Sequence, residues 1–375
     1  MSEWKKVKFL DYIELNPKVS IAKGEVCPFI EMANVDCNMR QPRCFEYKPF
    51  TSGVKFQTYD TVIARIEPCL QNGKGFLFTK QGVGFGSTEY LVFRAKPSKT
   101  IPLFVYYFMR THKIKTLMCN SMSGATGRQR VNNDVFLNLE VDIPSYDEQQ
   151  RIATILSRYD SLIENYQKQI KLLEESAQRL YKEWFIDLRF PGHENTKIVD
   201  GVPEGWEKKK VGDITPIKTG KKDANFGTSD GAYPFFTCSQ EPIKAPSYSF
   251  DTSAVILAGN GDFNVKLYRG KFEAYQRTYV LEPTNEKMLY LLYFCISENM
   301  NRLAIEASGS TIKFLTKGMI ENLVINEPST IVLDSFNQII EPIRTQKENF
   351  QTQIRLLTEA RDRLLPKLMS GEIKA

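Results

Sequence analysis

Apolar side chains recur along residues 159–184 at steps of 4, 3, 4, 3, 4, 3 and 4: Tyr159, Ile163, Tyr166, Ile170, Leu173, Ala177, Leu180 and Trp184. Such spacing is a heptad seam, a narrow apolar stripe on a long helix whose other faces are crowded with Glu and Lys. The stripe returns as Ile343, Lys347, Phe350, Ile354, Leu357, Arg361, Leu364 and Leu368, with Lys347 and Arg361 as polar interruptions. "NYQKQIKLLEESAQRLYKEW" and "NFQTQIRLLTEARDRLLPKL" are therefore two copies of one helix, 184 residues apart (349 − 165). At 1.5 Å per residue, a helix of roughly 35–40 residues is about 50–60 Å long, more than one small domain covers. The pattern predicts that the two helices pack on each other antiparallel, relating two halves of the chain by an approximate twofold axis. Tyr166, Ile170, Leu173, Leu180 and Trp184 would then face Phe350, Ile354, Leu357, Leu364 and Leu368. A coiled coil that joins two copies of the chain is the other use of such a seam. Pro342 and Pro366 lack backbone donors, which predicts a late start or kink near the first and a helix end near the second.

The repeat extends beyond the helices. At the same offset "NLEVDIPS" (138–145) falls on "NLVINEPS" (322–329), and Ile152, Ile155 and Leu156 fall on Phe336, Ile339 and Ile340. One residue out of step, "SGAT" at Ser123 matches "SGST" at Ser308. "WKKVKFLDYIEL" at Trp4 resembles "WEKKKVGDITPI" at Trp206, an offset of 202, so the second globular part is about 18 residues shorter (202 − 184). The predicted organisation is a globular region over 1–145, a helical spacer over 146–190, a linker and second globular region over 191–328, and a helical spacer over 329–375. Short β-rich runs ("TVIARI", "GFLFT", "EYLVFRA") precede one predicted helix, "IPLFVYYFMRTHKIKTLM", in the first half. "SAVILAG" and "RTYVLEP" precede "EKMLYLLYFCISENMNRLA" in the second, so both regions read as α+β.

Glycine-rich polar loops recur at comparable places. They are "LQNGKGF" and "SMSGATGRQR" in the first half, "AGNGDFNVK" and "SGSTIK" in the second. Gly lets a backbone approach a partner closely, and Arg, Lys, Asn and Gln reach phosphates or base edges. Each loop alone is equally an ordinary turn; the recurrence singles them out. The candidate contacts are Asn72, Lys74, Ser123, Thr126, Arg128, Gln129, Arg130, Asn260, Lys266, Ser310, Thr311 and Lys313. A net charge of +6 is compatible with a polyanionic partner without requiring one. Seven widely spaced cysteines contain no Cys-x-x-Cys pair, and the two histidines, His112 and His193, stand far apart. Neither a P-loop nor a Gly-x-Gly-x-x-Gly follows a strand, and "NPKV" at Asn16 lacks the rest of an amino-methyltransferase motif. No apolar run is long enough to span a bilayer and the first residues lack an apolar signal core, so a cytoplasmic, non-catalytic chain is expected.

Three features resemble the specificity subunit of type I restriction–modification systems. They are "SGATGRQRVNNDVFLNLEVDIPSYDEQQRIATIL" (123–156), "RDRLLPKLMSGEI" (361–373) and the twofold repeat itself. The resemblance implies an α+β fold with two target-recognition domains separated by two long antiparallel coiled-coil helices in pseudo-twofold symmetry. It further implies that each domain reads one half of a bipartite, asymmetric site in double-stranded DNA, and that the helices fix the spacing. Two modification subunits would dock on the chain, bind S-adenosylmethionine and methylate adenine, with base flipping in those partners. A pair of restriction subunits using ATP and Mg would join for cleavage. No cofactor or metal is implied in this chain, and no membrane.

Overall fold

The computed structural model of the chain describes residues 4–309 and 313–375. The chain divides into two compact units, the first formed by residues 1–169 with 349–375 and the second by 170–348. The division does not follow the spacer boundaries drawn from the sequence, because each long helix contributes to both units.

The first unit runs β1 (Lys5–Lys8), α1 (Phe9–Tyr12), β2 (Ile13–Leu15), β3 (Val26–Ile30), β4 (Glu46–Pro49), β5 (Val54–Gln57), β6 (Thr61–Ala64), β7 (Gly75–Leu77), β8 (Val83–Gly86) and β9 (Tyr90–Ala95). It continues with α2 (Pro102–Met109), α3 (His112–Asn120), β10 (Glu140–Ile143) and the first part of α4 (Tyr146–Tyr181). One antiparallel sheet has the order β2-β9-β6-β7; a second, β4-β3-β8-β5, contains the parallel pair β3–β8. Every residue of β6 is buried. Ile63 joins the core that includes Phe104 and Met118 of α2 and α3, while Val62 joins Phe56, Phe76 and Tyr90 on the other face. A strand covered on both faces reads as an unbroken apolar run, which is why "TVIA" shows no alternation.

The single helix expected over 101–118 is two helices. Thr111 is extended (φ −61°, ψ 147°), its hydroxyl donates to the Phe108 carbonyl at 2.7 Å, and the Arg110 guanidinium donates to the Cys37 carbonyl. These side-chain bonds give the backbone an alternative to continuing the helix.

The second unit runs β11 (Ile198–Val199), β12 (Val202–Pro203), β13 (Glu207–Lys210), α5 (Val211–Ile214), β14 (Ile217–Thr219), β15 (Tyr233–Phe236), β16 (Ile243–Ala245), β17 (Phe250–Ala258), β18 (Val265–Ala274) and β19 (Thr278–Leu281). α6 (Leu289–Glu306), α7 (Lys317–Glu321), β20 (Val324–Glu327) and the first part of α8 (Thr330–Met369) follow. Its main sheet has the order β14-β19-β17-β18-β15-β16, with β15 and β18 parallel. This is the topology of the first unit with two strands fused. β17 pairs through Phe250–Thr252 as β5 does and through Val255–Leu257 as β6 does, so β5 and β6 become β17, and β7 and β8 become β18. β13–β20 repeats the antiparallel ribbon β1–β10. Val255 and Leu257 point into the core shared with α6, and Ala254 and Ile256 point into a cluster on the opposite face.

The long helices pair within each unit. In the first, the Tyr166 ring stacks on Phe350 with centroids 4.9 Å apart, and Arg361 meets Asp160 at 2.6 Å. Positions ascending on α4 meet positions descending on α8, so these segments are antiparallel. In the second unit Lys347 meets Glu174 at 2.6 Å and Trp184 lies 5.9 Å from Phe336, in the same sense. Ile354 and Leu357 are half-buried, Leu364 packs against the core of the first unit and Leu368 lies inside it. Ile170 and Leu173 are likewise half-buried, Leu180 packs against the core of the second unit and Trp184 lies inside it. Both polar interruptions of the seam are thus ion-paired across it.

The Asp160 pair is the more buried of the two. Asp160 also accepts from the Tyr107 hydroxyl at 2.5 Å, and Arg361 also donates to the Asn38 carbonyl at 2.9 Å. Burial opposes the Arg361 charge, but the Asp160 carboxylate more than offsets it, and the guanidinium pKa is raised. α4 ends in one π turn, Lys182–Ile186, which carries Trp184. α8 begins at Thr330 and runs unbroken through Pro342, so the late start expected there does not occur. Pro342 and Gln338, whose carbonyl loses its partner, are both exposed, and water can satisfy that group. The helix does end near Pro366, at Met369. Among the described residues no helix is long and apolar enough to cross a membrane.

Candidate nucleic-acid interface

The loop "SMSGATGRQR" closes on itself through backbone bonds. Ser123 N–H donates to the Arg130 carbonyl at 3.0 Å and Arg130 N–H returns to Ser123 at 2.9 Å. The loop between β6 and β7 joins it: Ile66 bridges Arg130, Glu67 N–H donates to Gln129 at 3.0 Å, and Val131 N–H donates to Arg65 at 2.9 Å. The second unit repeats this arrangement. Ser308 and Phe314 exchange bonds of 3.0 and 2.8 Å, Asn260 bridges Phe314, and Leu315 N–H donates to Gly259 at 2.8 Å. Each unit therefore brings together the two glycine-rich loops that the sequence sets far apart. Gly124 (φ 121°) and Gly309 (φ 102°) follow the first serine of each closure, in the left-handed region where a Cβ is strained.

The side chains on these equivalent frames differ. Ser123, Thr126 and Arg128 are exposed and Gln129 is half-buried. Arg130 is held by Glu89, with its Nη2 donating to the carboxylate at 2.7 Å and its Nε at 2.9 and 3.0 Å. Those hydrogen bonds hold the Glu89 carboxyl below its usual pKa, against a smaller effect of burial. Arg65 N–H donates to the Glu89 carbonyl at 2.9 Å, just as Gly259 N–H donates to the Arg277 carbonyl at 2.8 Å. Arg277 thus occupies the place of Glu89, and Phe314 the place of Arg130. One unit presents a closed ion pair where the other presents an exposed arginine and a 39% exposed phenyl ring.

The remaining candidates divide. Asn72 and Lys313 are exposed and Asn260 is half-buried. Lys74 and Lys266 are turned inward as braces: Lys74 Nζ donates to the Met32 carbonyl at 2.9 Å, and Lys266 Nζ donates to the Ser239 carbonyl at 2.8 Å. Burial lowers the Lys266 pKa. Ser310 and Thr311 lie outside the described residues. Sequence reasoning missed Glu89, Arg277 and Phe314. Aligning the starts of "EYLVFRA" and "RTYVLEP" would have found the first two, since each stands one residue before an equivalent strand.

The sequence signature of the type I restriction modification DNA specificity domain matches residues 1–175 and 203–349. The chain belongs to this specificity family. Each matched segment of this specificity-family chain holds one of the two loop pairs. The chain is similar to the type I restriction enzyme EcoDI specificity subunit of Escherichia coli, 37% identical over 176 residues, 46% of this chain and 39% of that protein. The MjaIX specificity subunit of Methanocaldococcus jannaschii is 28% identical over 299 residues, 72% of this chain and 69% of that one. The match thus spans well under half of the Escherichia coli relative. Among solved structures, the S subunit from M. genitalium superimposes with a TM-score of 0.61 at 16% identity, covering 98% of this chain and 96% of that one. At that identity the likeness concerns the fold.

Proposed function

We propose that the chain is the non-catalytic DNA-recognition subunit of a cytoplasmic type I restriction–modification complex, each unit reading one half of a bipartite site in duplex DNA. The observation that carries this reading is one loop frame present twice with different side chains, Arg128 and the Arg130–Glu89 pair in the first unit, Arg277, Lys313 and Phe314 in the second. Two equivalent frames with unequal surfaces suit an asymmetric site rather than a palindrome. Exposed arginine and lysine contribute phosphate attraction and base-edge hydrogen bonds. The paired helices take the spacer role: 36 residues of α4 are about 54 Å at 1.5 Å each, against roughly 34 Å per turn of B-DNA. In this reading two modification subunits supply S-adenosylmethionine chemistry on adenine, and two restriction subunits supply ATP- and Mg-dependent cleavage. An adaptor that never meets DNA is disfavoured by the DNA specificity signature over both halves.

Mapping methylated adenines in the host genome tests the proposal. The expected result is one motif with two unlike half-sites and a fixed unspecified gap. A continuous or palindromic motif overturns it, as does unchanged specific binding by the complex after charge reversal of Arg128, Arg130 and Lys313 together.

A further inference from the structure

The first unit holds a cavity of about 370 Å³ bounded by the β6–β7 loop, the end of α2, the start of α3 and the Pro366 turn of α8. That volume is in the range of small-molecule sites. Three cations line it, Lys74, Arg110 and Lys115, against a single carboxylate, Asp362, a balance of +2 (3 − 1). Asp362 is already engaged by Arg361 at 2.8 Å. A Cβ added to Gly73 would stand 3.8 Å from Lys115 Nζ, so that ammonium lies close to the loop.

Two buried polar groups of the lining are unmatched. Thr61 is 1% exposed and its hydroxyl has no partner, and the Nη1 of Arg110 is buried without one. A buried donor left unpaired costs about 1–3 kcal/mol; both atoms lie beneath the lining and gain a partner only if a ligand draws that lining apart. Thr111 and His112 of the lining begin α3, a nine-residue helix with no side-chain cap, so its first amides add positive potential at the same mouth. Leu70, Tyr106, Met109 and Met118 supply apolar lining.

We propose that this cavity binds a small phosphate monoester with a flat or apolar body, of nucleoside monophosphate size. A monoester carries about −1.5 to −2 at neutral pH, which matches the lining better than a single-charged carboxylate or phosphodiester. The monoester sits against Arg110, Lys115 and the α3 amides, with Lys74 adding charge from behind, takes the Thr61 hydroxyl bond, and lays its body on Tyr106 and the methionines. Nothing in the DNA-reading role requires such a site.

Titration calorimetry on the full chain tests it with adenosine monophosphate, adenosine and inorganic phosphate as probes. The expected result is saturable binding of the monophosphate, with adenosine weaker by about tenfold or more. Lys115→Glu should lose about tenfold or more in affinity. Lys113→Glu should be unchanged, since that side chain is 73% exposed and pairs with Asp142 at 3.6 Å. Thr61→Val, which puts a methyl in place of the unpaired hydroxyl, should lower affinity while keeping or raising the thermal midpoint. Equal losses in Lys113→Glu and Lys115→Glu would show surface charge alone and overturn the proposal, as would absence of any monophosphate binding. Stoichiometric displacement of the monophosphate by duplex DNA would also overturn it, since the cavity would then belong to the DNA footprint.

Discussion

Replacing Arg361 by Met removes one partner of a buried ion pair and leaves the other behind. The Asp160 and Arg361 side chains are 2% and 5% exposed, and their atoms lie 2.6 Å apart. In the variant Asp160 keeps the Tyr107 hydroxyl, and the Asn38 carbonyl loses the bond it accepted from Arg361. Breaking a buried pair from one side costs about 3–5 kcal/mol, mostly from the uncompensated charge. The first unit has 196 residues (169 + 27), a size at which 1 kcal/mol moves the midpoint by about 2–4 °C. A loss of about 6–20 °C is therefore expected for that unit. Hydrogen exchange by mass spectrometry should show deprotection of 146–169 and 349–369 well before the sheet of the second unit. Asp160→Asn combined with Arg361→Met removes both charges while Asn still accepts from Tyr107, and should recover at least half of the loss. A midpoint within about 2 °C of the parent, or a double variant as unstable as the single one, would refute this account of the seam.

Glu89→Gln should free Arg130, tightening DNA binding and steepening the salt dependence by about one unit of slope; an unchanged slope in salt-titrated gel shifts would count against it. Because Arg130 holds the Glu89 carboxyl below its ordinary range, the stabilising pair is complete above the unfolded pKa and is lost only as pH falls through the depressed folded value. Gel shifts should therefore show no titration of this pair between pH 6 and 8, and a step there would refute it. Arg128→Glu and Arg277→Glu should impair opposite half-sites, by about 1–3 kcal/mol each, when binding is measured on DNA altered in one half at a time; losses on the same half would dissolve the two-reader scheme. Lys266→Met should leave the salt slope alone and change stability by no more than about 1 kcal/mol, since the lost carbonyl bond is offset by relief of the burial that lowers the lysine pKa, whereas a changed slope would make it a DNA contact.

The heptad steps made α4 and α8 legible, because a seam fixed every 3.5 residues by packing needs no knowledge of the partner's identity. The recurrence of the glycine-rich loops was legible for a related reason: Gly124 and Gly309 occupy a backbone region other residues avoid. Pairings at a distance were not. Nothing near Arg130 in sequence marks Glu89, 41 positions away, as its holder, and nothing near Lys266 marks the Ser239 carbonyl as its acceptor. Arg361 and Lys347 read as flaws in a stripe because their carboxylates lie on the other helix. The break at Thr111 escaped because the apolar run continues up to it and resumes at Ile114, while the competing bonds come from side chains. Pro342 misled because the proline rule assumes the orphaned carbonyl is shielded, and there it is not.

The first unit is assembled from two separated stretches, whereas the second is contiguous from 170 to 348. Synthesis therefore inverts the order of completion. The strands of the first unit are made before the second unit, yet Arg361, Leu368 and Met369, which close its core and neutralise Asp160, are made after it. By then every residue of the second unit has been made. A chain released after residue 348 would carry one finished unit and one waiting with exposed apolar surface, the form most prone to aggregate. Loss of the final turns of α8 would accordingly be felt at the front of the chain, in the unit whose first strand was translated hundreds of residues before.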